Sequence, residues 1–438
     1  MQFAHSCLVR LAAAVAAALF MPPCADGGAM GVPCTRPFVY RAGAVNVLIL
    51  PYAPAGRVDA AAQSSAAKLG TLLQIQTLFS ILKYSGVGVV QLSGTPAECP
   101  PEMVAGKVLG KTRGAETTVE KGRGLILLWG KVYQEDTNIY LRSYVRFLLN
   151  GVDEVLTLEA QGQPISVRLP AQSFALAPTQ LTRDELAQIE GEFGRSALLY
   201  AEPRETATRI PLPIGGDAVF PYSVLETRGE WMRIEAWRGG PRGWLRARIE
   251  LGQNPLTRRL PELALIEGLT GYLRMQSGFL KASPLPSPVT LQHTQAALRR
   301  YLDNPQNAGE PMAGAVARSV LGIVRHWTKD RRGARQLFDE AAALAPYSGA
   351  ARNLAAGYQM YLAYSGEPEP ARWRKVLDDM VAAAELDARN GEAFANLESC
   401  FRILLKAGPP PGQTLTEQDR EQLLPNIASL EKIRAGLK

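Results

Sequence analysis

Regularly spaced small, aromatic and proline residues near the carboxyl end constrain the fold more than any other feature of this sequence. They stand four, three and five residues apart, at Ala334, Phe338, Ala341 and Pro346, and Gly322 lies twelve residues before the first of them. Residues three and four apart share one face of a helix. Small residues on that face let two helices approach, an aromatic ring fills the gap, and proline ends the second helix. The pattern predicts stacked helix pairs.

These offsets resemble those of the tetratricopeptide repeat. Phe394, Leu397 and Phe401 fit the first helix of a later repeat, and Val376, Met380 and Ala383 fit the second helix of the repeat before it. Val376 stands 42 residues after Ala334 instead of the usual ~34, which indicates an insertion around 365–370. The resemblance implies that residues 258–438 form an all-α helical-repeat array, best matched over 312–406, whose first helices line a concave binding face. The partner-binding candidates on that face are Arg318, Arg325, Asn353 and Asn396.

Residues 195–252 carry short strand patterns separated by turns. The segment "VLETRGEWMRIEAWRGGPRGWLRARIE", with a Gly-x-Trp pair at Gly229 and Trp231 and a closing Gly243-Trp244, resembles a bacterial SH3-like domain. The opening differs from that family, because Tyr200-Ala-Glu-Pro203 replaces its usual Arg-Ser-Gly-Pro. The resemblance implies a small β-barrel that binds peptide or cell-wall glycopeptide, and Trp237 with Arg238 is the candidate exposed contact.

Residues 36–170 alternate between strand and helix patterns. Two strands are predicted at 125–133 and 139–149 around a polar turn, and two more near 155–159 and 165–169 extend the same partly antiparallel sheet. The segments "VNVLILPY" and "GLILLWGKVYQEDTNIYLRSYVRF" are similar to the amino-terminal α/β domain of TolB-like periplasmic proteins. That resemblance implies an interaction module without catalysis.

Period-two alternation marks one face of the strand at 139–149. It carries Tyr140, Arg142, Tyr144 and Arg146, whereas Leu141, Val145 and Phe147 point the other way. An aromatic and basic face of this kind could bind an acidic peptide or a glycan. The alternative is cross-strand packing beneath solvent, which we favour.

The first 29 residues read as a secretory signal, because Arg10 precedes a short apolar run that Pro22-Pro23 interrupts. We therefore expect a periplasmic or secreted protein without a transmembrane segment. In an oxidising compartment Cys34 and Cys99 can form a disulfide, and the alternative is two free thiols. Acylation of Cys24 would instead make an outer-membrane lipoprotein, which is the less favoured reading.

The composition argues against several function classes. The net charge of +7 is spread along the chain, so no basic stripe suits nucleic acid. Only three His are present, and no metal, nucleotide or other cofactor motif is complete. We expect a non-enzymatic cell-envelope adaptor that binds a protein or peptide, with peptidoglycan as a second candidate ligand. The alternatives are a cell-wall-associated enzyme targeted by the SH3-like domain, and a lipoprotein component of an envelope secretion or polysaccharide export system.

Overall fold

The computed structural model describes residues 45–60, 62–63, 73, 88–92, 125–148, 156–185, 198–211, 221–228, 231–235, 241–246, 260–280, 288–366, 372–388 and 391–437. They form two compact units. The sheet unit comprises Gly31–Gly151 and Gln172–Ala313, and the helical unit comprises Val152–Ala171 and Gly314–Lys438. The predicted layout of a sheet-rich amino-terminal part and a helical carboxyl-terminal part is confirmed. The signal segment, Cys24, Cys34, Cys99, Trp237 and Arg238 lie outside the described residues.

Thirteen strands are described. In chain order they are β1 Val45–Pro54, β2 Gly88–Leu92, β3 Leu125–Glu135, β4 Asn138–Leu148, β5 Leu156–Ala160, β6 Gln163–Val167, β7 Ser173–Ala175, β8 Thr179–Leu181, β9 Leu198–Tyr200, β10 Arg209–Pro211, β11 Pro221–Arg228, β12 Trp231–Glu235 and β13 Arg242–Arg246.

Eleven of these strands form one sheet, in the order β10-β9-β13-β12-β11-β2-β1-β3-β4-β7, with β8 also paired to β4. Strand β1 runs parallel to β2 and β3, and the other pairings are antiparallel. The apolar run 47–50 of β1 is buried, as expected for a strand inside a parallel layer.

The strands of 195–252 belong to this same sheet. Strands β11, β12 and β13 form a meander, β9 joins β13 where Tyr200 faces Trp244, and β11 pairs with β2. The pairing of β11 with β2 joins segments more than 100 residues apart, a contact that no local pattern encodes. The separate SH3-like domain stays a prediction.

The hairpin β3–β4 matches its prediction closely. Its turn places Asp136 at φ 53°, and Leu141, Ser143 and Val145 of β4 are buried on one face. Two helices, α1 at Pro261–Leu280 and α2 at Pro288–Leu302, complete the sheet unit. Residues 260–273 are all buried, including the polar side chains of Glu262, Glu267 and Thr270, so this part of α1 has no exposed side. A Cβ at Gly268 would lie 2.6 Å from Leu298 Cδ2, so glycine permits this close approach of α2.

Six further helices follow: α3 Pro311–Trp327, α4 Arg331–Leu344, α5 Gly349–Ala363, α6 Trp373–Leu386, α7 Gly391–Ala407 and α8 Glu417–Gly436. From α4 onward each packs on the next, and α5 also contacts α7. A Cβ at Gly322 would lie 2.5 Å from the Phe338 ring, so the small residue of α3 admits the aromatic residue of α4. This is the arrangement that their spacing predicted.

Strands β5 and β6 differ from their expected place. They form a separate two-stranded sheet that packs on α5 and α7, instead of extending the sheet of 36–170. Leu156, Leu158 and Ala160 are buried while Thr157 and Glu159 are exposed, so the hairpin buries one face. The helices supply the apolar surface that covers this face. The turn at Gln161-Gly162 has φ of 52° and 76°, which suits a type I′ hairpin.

Candidate functional site

Helix α7 bonds the backbone of strand β6, and α5 packs against the same strand. Asn396 of α7 donates from Nδ2 to the Ser166 carbonyl at 2.6 Å, and its Oδ1 accepts the Ser166 N–H at 2.9 Å. One amide side chain thus bonds both main-chain groups of a strand residue, as a neighbouring strand would. Asn396 is 1% exposed, so these bonds are shielded from water.

Two further side chains continue this contact. Asn396 Nδ2 also donates to Asn353 Oδ1 at 3.1 Å, and Asn353 Nδ2 donates to Glu392 Oε1 at 3.0 Å. The other carboxylate oxygen of Glu392 forms an ion pair with Arg168, just past β6. We call Asn353, Glu392 and Asn396 the asparagine clasp. All three are buried, and the clasp therefore joins two helices to the backbone and the charge of one extended segment.

Both ends of the extended segment are also held by hydrogen bonds to main-chain carbonyls. Lys406 Nζ donates to the Gln161 carbonyl at 3.1 Å, in the hairpin turn. At the far end, Ser348 Oγ lies 3.1 Å from the Pro170 carbonyl and also accepts the Ala351 N–H as the cap of α5. The contact therefore extends from 161 to 170.

The spacing of these contacts follows from strand and helix geometry. Moving from Ser166 to Arg168 covers two strand residues, or about 6.6 Å. Moving from Asn396 to Glu392 covers four helical residues in the opposite direction, or about 6.0 Å. The opposite order of the paired residues means that β6 runs antiparallel to α7. Because the two steps are nearly equal in length, every second strand residue meets one turn of the helix.

A glycine in the middle of α5 makes room for the strand. A Cβ at Gly357 would lie 2.9 Å from Ile165 Cγ2 and 3.2 Å from Val167 Cγ1. Glycine inside a helix is less stable than alanine by about 1 kcal/mol. The close approach of two β-branched side chains gives a physical reason for glycine at this position. Ile165, Val167 and Leu169 are all buried.

The structure divides the four predicted partner-binding residues of the array into two pairs. Asn353 and Asn396 lie together and contact the chain's own strand. Arg318 instead pairs with Glu340 at 3.1 Å, and Arg325 with Asp330 at 3.2 Å. Both pairs contribute to the packing and capping of α3 and α4.

Sequence reasoning missed Ser166, Arg168, Glu392 and Gly357. The one available signal was the glycine at the centre of α5, because glycine inside a helix pattern indicates that another element packs closely there. A strand pattern ending in an arginine carries no indication of which surface will cover it.

The predicted aromatic and basic face of β4 is also present. Tyr140, Arg142, Tyr144 and Arg146 are all half-buried on one side of the strand. Trp129 stacks on Tyr144 with ring centroids 5.8 Å apart. Arg142 pairs with Glu310 at 2.9 Å and lies 5.9 Å from the Tyr144 ring centroid. These contacts favour the cross-strand packing alternative.

A second buried polar cluster lies in the sheet unit. The hydroxyls of Tyr52 and Ser143 are 2.8 Å apart, and Ser143 Oγ donates to Glu262 at the start of α1. Burial raises the pKa of Glu262. Burial, and then the Glu262 charge, raise the pKa of Tyr52 well above its usual value. Ser143 and Glu262 are at most 1% exposed, so this cluster stabilises the packing of α1 on the sheet and has no access to a substrate.

An open cleft of about 530 Å³ lies at the carboxyl end of β1. Its central residue, Asp59, accepts the Ala62 N–H at 2.8 Å, exchanges two hydrogen bonds with Gln134, and pairs with Arg183 at 2.9 Å. These mutual contacts fasten the β3–β4 hairpin to the start of the helical turn after β1.

Cys400 is buried and unpaired, with Sγ 3.4 Å from Met380 Sδ, and burial raises the pKa of its thiol. Within the described residues, no set of three or more His, Cys, Asp or Glu side chains is placed to bind a metal ion. Every helix of that part of the chain is too short or too polar to cross a bilayer.

No protein-family model matches this chain, and comparisons with curated proteins and with solved structures gave no match. Function is therefore inferred from the geometry of the chain itself.

Proposed function

We propose that this protein is an exported, non-enzymatic adaptor of the cell envelope, whose helical unit binds extended protein segments. The observation that carries the proposal is the asparagine clasp, because Asn396 holds both backbone groups of Ser166. Recognition of a strand through its main chain is a recurring way to bind peptides.

The helical unit is suited to this role as an array of tetratricopeptide-like repeats. The fit of Phe338 against Gly322 and the contact between α5 and α7 support that assignment. In such arrays each helix pair packs on its neighbours, so the first helices form an extended inner surface. Here that surface already carries a strand.

In this proposal the other modules contribute separate contacts. The meander β11–β13 with β9 supports an SH3-like part within the sheet, with peptidoglycan as its candidate ligand. Residues 36–170 supply the TolB-like interaction module. The signal-like residues 1–29 would deliver the chain to the periplasm, where a Cys34–Cys99 disulfide would form.

Crosslinked capture from envelope extract tests the proposal. The bait is the full mature chain, and the informative variant is Asn353→Ala with Asn396→Ala. The matched control is Arg420→Ala, on the exposed surface of α8. We expect a protein partner to be captured by the wild type and the control, with at least a fivefold loss in the double variant.

Circular-dichroism melting of each bait shows that the array is folded. Capture of no partner by any bait, or of the same partner equally by all three, would contradict the proposed function.

A further inference from the structure

We infer that the segment 161–170 is a resident ligand of the helical unit. Its sequence indicates which partner the array binds. That partner is an extended segment with the pattern apolar–x–apolar–Arg/Lys–apolar–Pro, and it displaces the resident segment. This inference rests on the proposed function and names the chemistry of the partner.

The backbone contact requires an extended segment but no particular side chain. Both main-chain groups of Ser166 bond to Asn396, and the N–H and C=O of a strand residue point to the same side. Ser166 therefore offers its outer edge to α7 and leaves β5 unbonded at that residue. Any extended peptide presents the same two groups, so a partner segment can make the same bonds.

The apolar contacts set the alternate positions of the pattern. Ile165, Val167 and Leu169 are buried, and the first two lie directly over Gly357. Since strand side chains alternate, a partner needs apolar residues at the first, third and fifth positions.

Charge selects the fourth position. The side chain of Glu392 is 5% exposed and pairs with Arg168, which is 37% exposed. Without a cation, this buried carboxylate would lose its ion pair. An acidic residue there would place two carboxylates together inside the protein, which is strongly unfavourable. The site therefore accepts Arg or Lys and rejects Asp or Glu.

The resident segment is a replaceable occupant because of how it is built. A two-stranded hairpin is marginally stable alone, so its order depends on the helices. Of β5, Thr157 and Glu159 are exposed, so the hairpin covers the helices with one face only. As a tethered ligand it acts at an effective concentration of the order of mM. A partner in trans must compete with that concentration, which lowers its apparent affinity.

A labelled peptide tests this inference directly. The probe is a fluorescent peptide of residues 162–171, GQPISVRLPA, titrated by anisotropy into the full mature chain. The receiving variant is Ile165→Asp with Val167→Asp, which undocks the resident segment and leaves every helix residue unchanged. We expect the peptide to bind this variant at least tenfold more tightly than the wild type.

Two altered peptides report on the contacts. N-methylation at the Ser166 position removes the N–H that Asn396 accepts, and glutamate at the Arg168 position opposes Glu392. Each should weaken binding at least tenfold. Adding Glu392→Arg to the undocked chain should restore binding of the glutamate peptide and weaken binding of the original.

Melting of the helices establishes that the undocked chain is folded; if it is not, Arg168→Glu is the milder undocking variant. No saturable binding to a folded undocked chain up to about 1 mM, or equal binding to wild type and variant, would overturn the inference. Peptide failure alongside clasp-dependent capture of an envelope protein would overturn this inference alone. Peptide binding without any capture would leave it standing and contradict the proposed function.

Discussion

The two units each bury a polar cluster, but the clusters differ in the groups to which they bond. In the sheet unit, Tyr52, Ser143 and Glu262 bond among themselves across β1, β4 and α1. In the helical unit, the asparagine clasp ends on the backbone of a strand. The hydrogen bonds of the first cluster run between side chains fixed in neighbouring elements. The second bonds the main-chain groups that every peptide carries and pairs with one basic side chain, Arg168. An extended segment with a cation at that position can therefore take its place in principle.

The largest effect should come from filling the space that the strand uses. Gly357→Leu places a side chain where Ile165 and Val167 pack, and overpacking of this kind costs about 1–3 kcal/mol before undocking is counted. We expect the helical unit to lose about 3 kcal/mol in urea unfolding. Gly391→Ala is the matched control, because a Cβ there meets nothing within 4 Å, and it should leave stability nearly unchanged.

Removing the clasp amide should have the next largest effect. Asn396→Ala leaves the N–H and C=O of Ser166 without their partner, at a cost of about 2 kcal/mol. Hydrogen exchange should accelerate at the Ser166 amide by about thirtyfold while β3 amides keep their rates. Unchanged exchange at Ser166 would show that the strand is held by its apolar side chains alone.

The two units should respond to pH in opposite directions, starting with the sheet unit. Burial raises the pKa of Glu262, so the folded state holds this proton more tightly than the unfolded state. Stability from this group is therefore complete below its unfolded pKa of about 4.5 and falls as pH rises. Glu262→Gln should remove that slope in urea unfolding followed by β-sheet signals from pH 4 to 8. An unaltered slope would assign it to another group.

The helical unit should instead weaken as pH falls. Burial, and then the charge of Arg331, lower the pKa of His326 to about 4, and its Nδ1 lies 3.0 Å from the Tyr358 hydroxyl. The unfolded chain takes up this proton near pH 6.5, so stability is lost between about pH 6.5 and 4. We expect a loss of about 1–2 kcal/mol at pH 5, after allowing for partial exposure. The check is the protection of α5 amides from hydrogen exchange, compared between pH 7 and pH 5. The loss of protection at pH 5 should be smaller in His326→Gln than in the wild type.

Local patterns predicted what adjacent residues decide. Phe338 meets Gly322 because helical spacing sets both faces. Strand β3 pairs with β4 because only residues 136 and 137 separate them. Helical spacing also predicted Asn353 and Asn396 as contact residues, without showing that they would contact the chain's own strand. It could not show that Arg318 finds an acidic neighbour on α4, or that Arg325 finds one in the residue that caps α4.

Contacts between residues far apart in the chain could not be predicted from the sequence, for a physical reason. The alternation in 156–167 specifies a strand with one apolar face, and a sheet and a pair of helices satisfy that face equally well. Which one covers it depends on shape at Gly357 and charge at Glu392, about 200 residues further along the chain. Those two residues become informative only once the hairpin is placed beside them.

The rise of two residues in β6 nearly equals the rise of four residues in α7, and the small difference accumulates along the contact. Each pair of strand residues advances about 0.6 Å further than the four helical residues beside it. The long side chain of Lys406 bridges this difference and reaches the turn at Gln161. Helix α7 begins at Gly391, directly before Glu392, so the cap of α5 supplies the contact to Pro170. A single helix can therefore contact only a short segment of an extended chain, and a longer segment requires a second helix to continue the contact.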